Sequence, residues 1–168
     1  MKLTVLIDRS TRNIGRSCAW LVLSMVLVTF VIVVLRYAFD SGWIWLQESV
    51  IWMHAAVFML AAAYTLARDE HVRVDIFYRH FDRRKKALVD AIGTLIFLVP
   101  VSVFFIWSSW EYVSVSWQIR ETSVEAGGLI FPLLPVMKAF IPVMSGLLLL
   151  QAISLLHKAW TNFFNDSG

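Results

Sequence analysis

The chain has 168 residues, of which 59% are apolar and only 16% are charged. An ordinary globular chain has about 45–50% apolar and about 25% charged residues, so here there are too few polar side chains to cover a water-exposed surface. A soluble domain, a disordered tail and a disulfide-stapled module are therefore excluded, and a net charge of +3 is too small to indicate nucleic-acid binding.

Four long apolar runs follow one another along the chain. About 20 helical residues cross a bilayer, and an open strand would leave backbone groups unpaired in lipid. The sequence therefore predicts an all-α integral membrane protein with four transmembrane helices at 18–38, 43–67, 88–110 and 131–156. The segments between them are a cytoplasmic amphipathic segment 1–17, a cytoplasmic amphipathic connection 68–87, a periplasmic connection 111–130 and a cytoplasmic tail 157–168.

The basic residues lie mainly on one side of these spans. Four precede the first span and seven lie between the second and third, whereas the opposite side has Arg120 and, at a span end, Arg36. Because Lys and Arg are retained on the cytoplasmic side, this bias predicts that both termini are cytoplasmic. The first span is interpreted as a retained helix, since no small-residue cleavage site follows it.

Two segments have the pattern of helices that lie on the membrane surface. Residues 2–16 and 69–86 each combine an apolar face with basic residues, which favours binding to anionic cytoplasmic lipid. A solvated connector is the alternative for both. The residues predicted to contact the membrane surface are Arg73, Arg79, Arg83, Arg84, Lys85 and Lys86.

One face of the second span combines an acid with large and small side chains. Trp45, Glu48 and Trp52 are spaced i, i+3 and i+7, and the small residues that continue this stripe would let another helix approach closely. This face is predicted to pack against a partner protein. Its members are Trp45, Glu48, Trp52, Ala55, Met59 and Ala62.

Ionisable side chains inside a span need a partner, because each costs roughly 2.5–3.5 kcal/mol on insertion scales. The sequence predicts that Glu48 is either a hydrogen-bonded anchor or part of an ion pair with Arg36 or Lys138, which lie at similar depths. A proton or cation carrier is the alternative role of Glu48. His54, near the bilayer middle, is interpreted as hydrogen-bonded across a helix interface, since His157 lies too far away to share a haem as in a respiratory anchor.

The periplasmic connection is a candidate docking surface for a soluble partner. It carries charges of both signs, and a loop of this kind on a rigid bundle is available for binding. An ordinary solvated connection is equally consistent with these residues. The predicted docking residues are Arg120, Glu121 and Glu125.

Several short motifs occur together in a characteristic order. They are WLQE at 45–48 with Trp52, the stretch 62–75 at the exit of the second span, the stretch 121–129 with its paired glycines, and the stretch 135–142. Taken together, residues 12–158 resemble the small membrane subunit (DctQ-like) of tripartite ATP-independent periplasmic (TRAP) transporters. The four-span plan with both ends inside is the same in that family.

The resemblance implies a scaffold subunit of a sodium-driven transporter for an organic anion, in the bacterial cytoplasmic (inner) membrane, and no enzymatic activity. It also implies two protein partners: a large elevator-type membrane subunit, which the chain would brace, and a periplasmic substrate-binding protein, whose docking it would assist. No cofactor is expected in this chain, sodium is expected at the large subunit, and a bound phospholipid fits a chain surrounded by the lipid bilayer. The alternative is a self-sufficient small proton-coupled carrier that uses Glu48.

Overall fold

The computed structural model describes residues 2–68 and 81–165, which form helices joined by short connections. The helices are α1 (Lys2–Phe39), α2 (Ile44–Ala67), α3 (Arg83–Gly93), α4 (Val99–Gln118) and α5 (Leu133–Asn165), and a π-helical turn (Thr94–Leu98) joins α3 to α4. Within these described ranges, four helical stretches are long and apolar enough to cross a membrane. The predicted all-α architecture with four spanning helices is therefore confirmed.

Helix α1 differs from the expected arrangement of a surface segment followed by a span. It is continuous from Lys2 to Phe39, without a break near residue 17. Thr11 and Cys18 are buried, and Gly15 lies so close to the Tyr64 ring of α2 that a Cβ would collide with it. Residues 2–16 therefore pack on the rest of the bundle instead of forming a separate helix on the membrane surface.

The second predicted surface segment, 69–86, lies mostly outside the described residues. Its last part, 83–86, forms the first turn of α3, and α3 continues through the π turn into α4. The helix that contains the third predicted span therefore begins at Arg83, five residues before that span. Helix α5 similarly continues to Asn165, through most of the predicted tail.

The helices pack through small residues that recur every seven positions. Such a repeat keeps one stripe of a helix against its neighbour, as in coiled coils. The buried residues are Ser102, Ser109 and Ser116 in α4, Ser145, Ala152 and Ala159 in α5, and Ala56 and Ala63 in α2. Because these side chains are small, the helix backbones approach closely.

The π turn keeps α3 and α4 on one packing face. Ala87 and Thr94 are buried seven residues apart, whereas the next buried residue, Ser102, follows Thr94 after eight. A π turn accommodates one extra residue within a helix. The extra residue in Thr94–Leu98 therefore lets the buried stripe of α3 continue along α4.

Helix α5 is the centre of the bundle, because it contacts α1, α2, α3 and α4. Helix α2 lies between α1 and α5. Two polar clusters form where the ends of α5 meet other residues of the chain, one at Lys138 and one at Lys158.

Candidate assembly and docking site

The connection after α4 folds onto the N-terminal end of α2, where Glu48 holds it; this end of the bundle is called the outer end, after the predicted orientation. The Ser123 hydroxyl donates to Glu48 Oε1 at 2.5 Å, and the Leu129 N–H donates to Glu48 Oε2 at 2.6 Å. The Ser123 N–H also donates to the Leu129 carbonyl at 2.8 Å. One carboxylate therefore closes the loop 123–129 by bonding to both of its ends.

Two adjacent glycines in this loop are needed for different reasons. Gly127 has φ +79°, a left-handed conformation that favours glycine. Its carbonyl accepts a bond from the Trp45 N–H at 3.1 Å, which satisfies an otherwise free donor in the first turn of α2. Gly128 has no room for a side chain, because a Cβ would meet both Ser123 and the Glu48 carboxylate.

Trp52 ties the same face of α2 to the start of α5. Its indole N–H donates to the Leu133 carbonyl at 2.9 Å, and its ring meets Phe140 edge-on with centroids 5.1 Å apart. Two members of the predicted partner-packing face, Glu48 and Trp52, therefore bond to their own chain, and packing of this face against a partner stays a prediction. Of the other members, Trp45 is 45% exposed and stacks on Trp43, while Ala55, Met59 and Ala62 are half-buried.

Lys138 does not pair with Glu48. Its ammonium bonds to Glu121 Oε2 at 2.5 Å and lies 4.0 Å from the centre of the Tyr112 ring. Hydrogen bonding from Lys138 lowers the pKa of the Glu121 carboxyl. Within the described ranges, Arg36 does not bond to Glu48 either, so both predicted pairings are wrong. The physical reason is that the folded connection brings neutral donors to Glu48 and a separate acid to Lys138.

The predicted docking residues lie together on the connection but differ in exposure. Arg120 and Glu125 are exposed, whereas Glu121 is half-buried against Lys138. The connection also exposes apolar side chains that the sequence argument did not single out: Ile119 by 65%, Val124 by 101% and Ile130 by 71%. The occurrence of apolar residues among the charged residues of 119–125 was the available signal for this mixed surface.

A second polar cluster, which was not predicted, lies towards the C-terminal end of α5, called the inner end after the predicted orientation. The carboxylate of Asp8 accepts bonds from Lys158 at 2.7 Å, Ser154 at 3.0 Å and Gln151 at 3.2 Å. These three donors are spaced i, i+3 and i+7 on α5, a pattern that could have identified one polar face. Within residues 2–68 and 81–165, no three His, Cys, Asp or Glu side chains group as metal ligands would.

The basic residues predicted to contact the membrane are only partly described. Arg73 and Arg79 lie outside the described residues, as does the side chain of Arg83. The Arg84 guanidinium lies 5.1 Å from the Phe163 ring centre, which links the start of α3 to the end of α5. Lys85 is exposed and Lys86 is half-buried.

Comparisons with known proteins assign this arrangement to a family. Residues 25–162 match the family model of tripartite ATP-independent periplasmic transporters, DctQ component. The chain is similar to the C4-dicarboxylate TRAP transporter small permease protein DctQ of Vibrio cholerae serotype O1 (strain ATCC 39315 / El Tor Inaba N16961), with 27% identity over 89 residues. That alignment covers 53% of this chain and 38% of the relative.

No solved structure gives a significant match. The family match extends over most of the chain, including α2, α4, the connection between α4 and α5, and nearly all of α5. The chain therefore belongs to the DctQ family of inner-membrane small subunits of TRAP transporters.

Proposed function

We propose that this chain is the static scaffold of a sodium-driven TRAP transporter for an organic carboxylate, and that it braces a large elevator-type membrane subunit. The observation that supports this role is that three half-buried charged side chains bond to other residues of this chain. Glu48 and Lys138 do so at one end of the bundle, and Asp8 does so at the other. Between these ends, small residues pack the helices closely, which suits a rigid support.

The alternative, a proton-coupled carrier that uses Glu48, has less support. A carrier acid must release its ion to water on each side in turn, whereas the Glu48 carboxylate is held by one hydroxyl and one main-chain N–H. Opening this site would also release the loop 123–129. We therefore assign sodium binding and carboxylate binding to the large subunit, and no cofactor to this chain. A bound phospholipid would fill gaps on the exposed helix faces.

We also propose that both termini are cytoplasmic and that the connection 119–132 faces the periplasm. The excess of basic residues before α1 and between α2 and α3 supports this orientation. The connection then presents Ile119, Val124 and Ile130 beside Arg120 and Glu125 to the periplasm. Exposed apolar groups with a charged rim are typical of binding surfaces, so we assign docking of the substrate-binding protein to this connection.

The experiment is reconstitution of purified components in liposomes with a sodium gradient. Uptake of a labelled C4-dicarboxylate or another carboxylate is expected only when this chain, the large subunit and the periplasmic protein are all present. Vesicles with the large subunit and the periplasmic protein but without this chain are the control. Uptake by this chain alone, or full uptake without it, would contradict the scaffold role.

A further inference from the structure

One face of α2 points away from the other described parts of the chain and contains a histidine. His54 is exposed, as are its neighbours Ile51, 61% exposed, and Phe58, 69% exposed. Gln47 is half-buried and precedes His54 by seven residues, which places it only about 20° away around the helix. We call Gln47, Ile51, His54 and Phe58 the His54 face. Trp52, which packs on α5, lies about 160° around the helix from His54.

Lipid alone is a poor environment for the His54 face. His54 is the eleventh residue of the 24-residue helix α2, and therefore lies near the middle of the bilayer. Its described contact is a stacking of its ring on Phe58, with centroids 6.4 Å apart, and no described residue hydrogen-bonds to its imidazole. A neutral imidazole has one donor and one acceptor nitrogen, and polar groups left unpaired in hydrocarbon are costly. Intramembrane histidines accordingly face protein or a cavity.

We propose that the His54 face binds a helix of the large membrane subunit, and that this helix presents a hydroxyl, amide or carboxyl group to the imidazole. The proposal rests on the proposed function and adds the face through which the scaffold holds its partner. Family membership favours this occupant over a second copy, because the chain is a component of a tripartite transporter. Ala61, seven residues beyond His54 on the same side, gives the partner helix room to approach.

Photo-crosslinking tests the occupant. A photoreactive phenylalanine analogue replaces Phe58 in the chain co-expressed with the tagged large subunit. Phe104 of α4 is the matched control, because it is 56% exposed and, like Phe58, lies fourteen residues from the outer end of its helix. We expect at least fivefold more adduct with the large subunit at position 58 than at position 104.

The possible results separate the two proposals. Equal or greater adduct at position 104, or an adduct between two copies of this chain at position 58, would overturn the His54 face and leave the scaffold function in place. Failure of the unsubstituted chain to co-purify with the large subunit would overturn both.

Substitution of His54 gives a second, independent measurement. A histidine bonded to a partner loses that bond in His54→Leu, so the yield of the complex should fall about five- to tenfold. His54→Gln retains a donor and an acceptor and should keep the yield within twofold. The amount of chain inserted when it is expressed alone controls for folding and should not fall in either variant. An unchanged or increased yield of the complex with His54→Leu would indicate a lipid-facing histidine and overturn the proposal.

Discussion

The two ends of the bundle each contain a half-buried acid, but the acids bond to different kinds of partner. At the outer end, Glu48 accepts from a hydroxyl and a main-chain N–H of the connection. At the inner end, Asp8 accepts from side chains of α5, and its shortest bond comes from Lys158. The outer acid therefore shapes a loop, whereas the inner acid ties one preformed helix to another.

This difference predicts unequal contributions to stability. The donors to Glu48 are short or part of the backbone, so little side-chain entropy is lost when they are fixed. Lys158 has a long side chain that is 44% exposed, and the Asp8 side chain is 24% exposed. Exposed ion pairs contribute only about 0–1 kcal/mol. The comparison teaches that a carboxylate enclosed by uncharged donors can contribute more to stability than a partly exposed salt bridge.

Removal of the outer acid is the strongest test of this comparison. Glu48→Ala should lower the free energy of unfolding by at least about 3 kcal/mol, because two hydrogen bonds to a charged group are lost at about 1.5–3 kcal/mol each. Detergent-solubilised protein titrated with SDS gives this quantity. The loop should also open to trypsin at Arg120, the only Lys or Arg between Lys86 and Lys138.

Glu125→Ala is the matched control for this experiment. It removes an exposed acid from the same connection without breaking a bond of its side chain to Glu48 or Lys138. Its stability should stay within about 0.5 kcal/mol of the natural chain, as for most surface substitutions. Equal trypsin cleavage at Arg120 in both variants would show that Glu48 does not hold the loop.

Removal of the inner acid should have a smaller effect. Asp8→Ala should cost about 1 kcal/mol, because the ion pair is partly exposed but the buried Gln151 amide loses an acceptor. Asp8→Asn is the control, since its amide oxygen still accepts from Gln151 and Ser154. Its cost, measured by the same SDS titration, should be less than half that of Asp8→Ala. If Asp8→Ala lowered the free energy of unfolding as much as Glu48→Ala does, the two acids would contribute equally to stability, contrary to the prediction.

The sequence was sufficient for the number and order of the spanning helices, since hydropathy reports which segments tolerate lipid. It was insufficient for where the helices end. The prediction placed a boundary near residue 17 because charges precede it, yet α1 continues because Asp8 and Thr11 have a face of the bundle to pack on. Likewise, the π turn after Gly93 is dictated by the register of buried small residues, which becomes visible only once the packing is known.

The two ion-pair partners proposed for Glu48 were wrong for a physical reason. Pairing opposite charges by depth considers side chains alone, whereas Glu48 bonds to a main-chain N–H and a serine of a folded loop. The motif at 121–129 was recognised as part of a family pattern, but nothing in it identifies Glu48 as its partner. The orientation, the membrane-surface residues and the docking residues remain predictions.

The outer ion pair gives the smallest expected effect, as a function of pH. Because Lys138 lowers the pKa of Glu121 in the folded chain, the pair contributes stability above the ordinary glutamate pKa of about 4.3 and loses it as pH falls through the lowered value. SDS titrations of the natural chain and Glu121→Gln should therefore differ by a constant amount, less than about 1 kcal/mol, between pH 7 and pH 5. Below pH 4.3 the difference should shrink, and the effects of all other carboxylates cancel in this comparison. A difference that is unchanged or larger at pH 3 would show that Glu121 is not held by its charge, and the outer end would then depend on Glu48 alone.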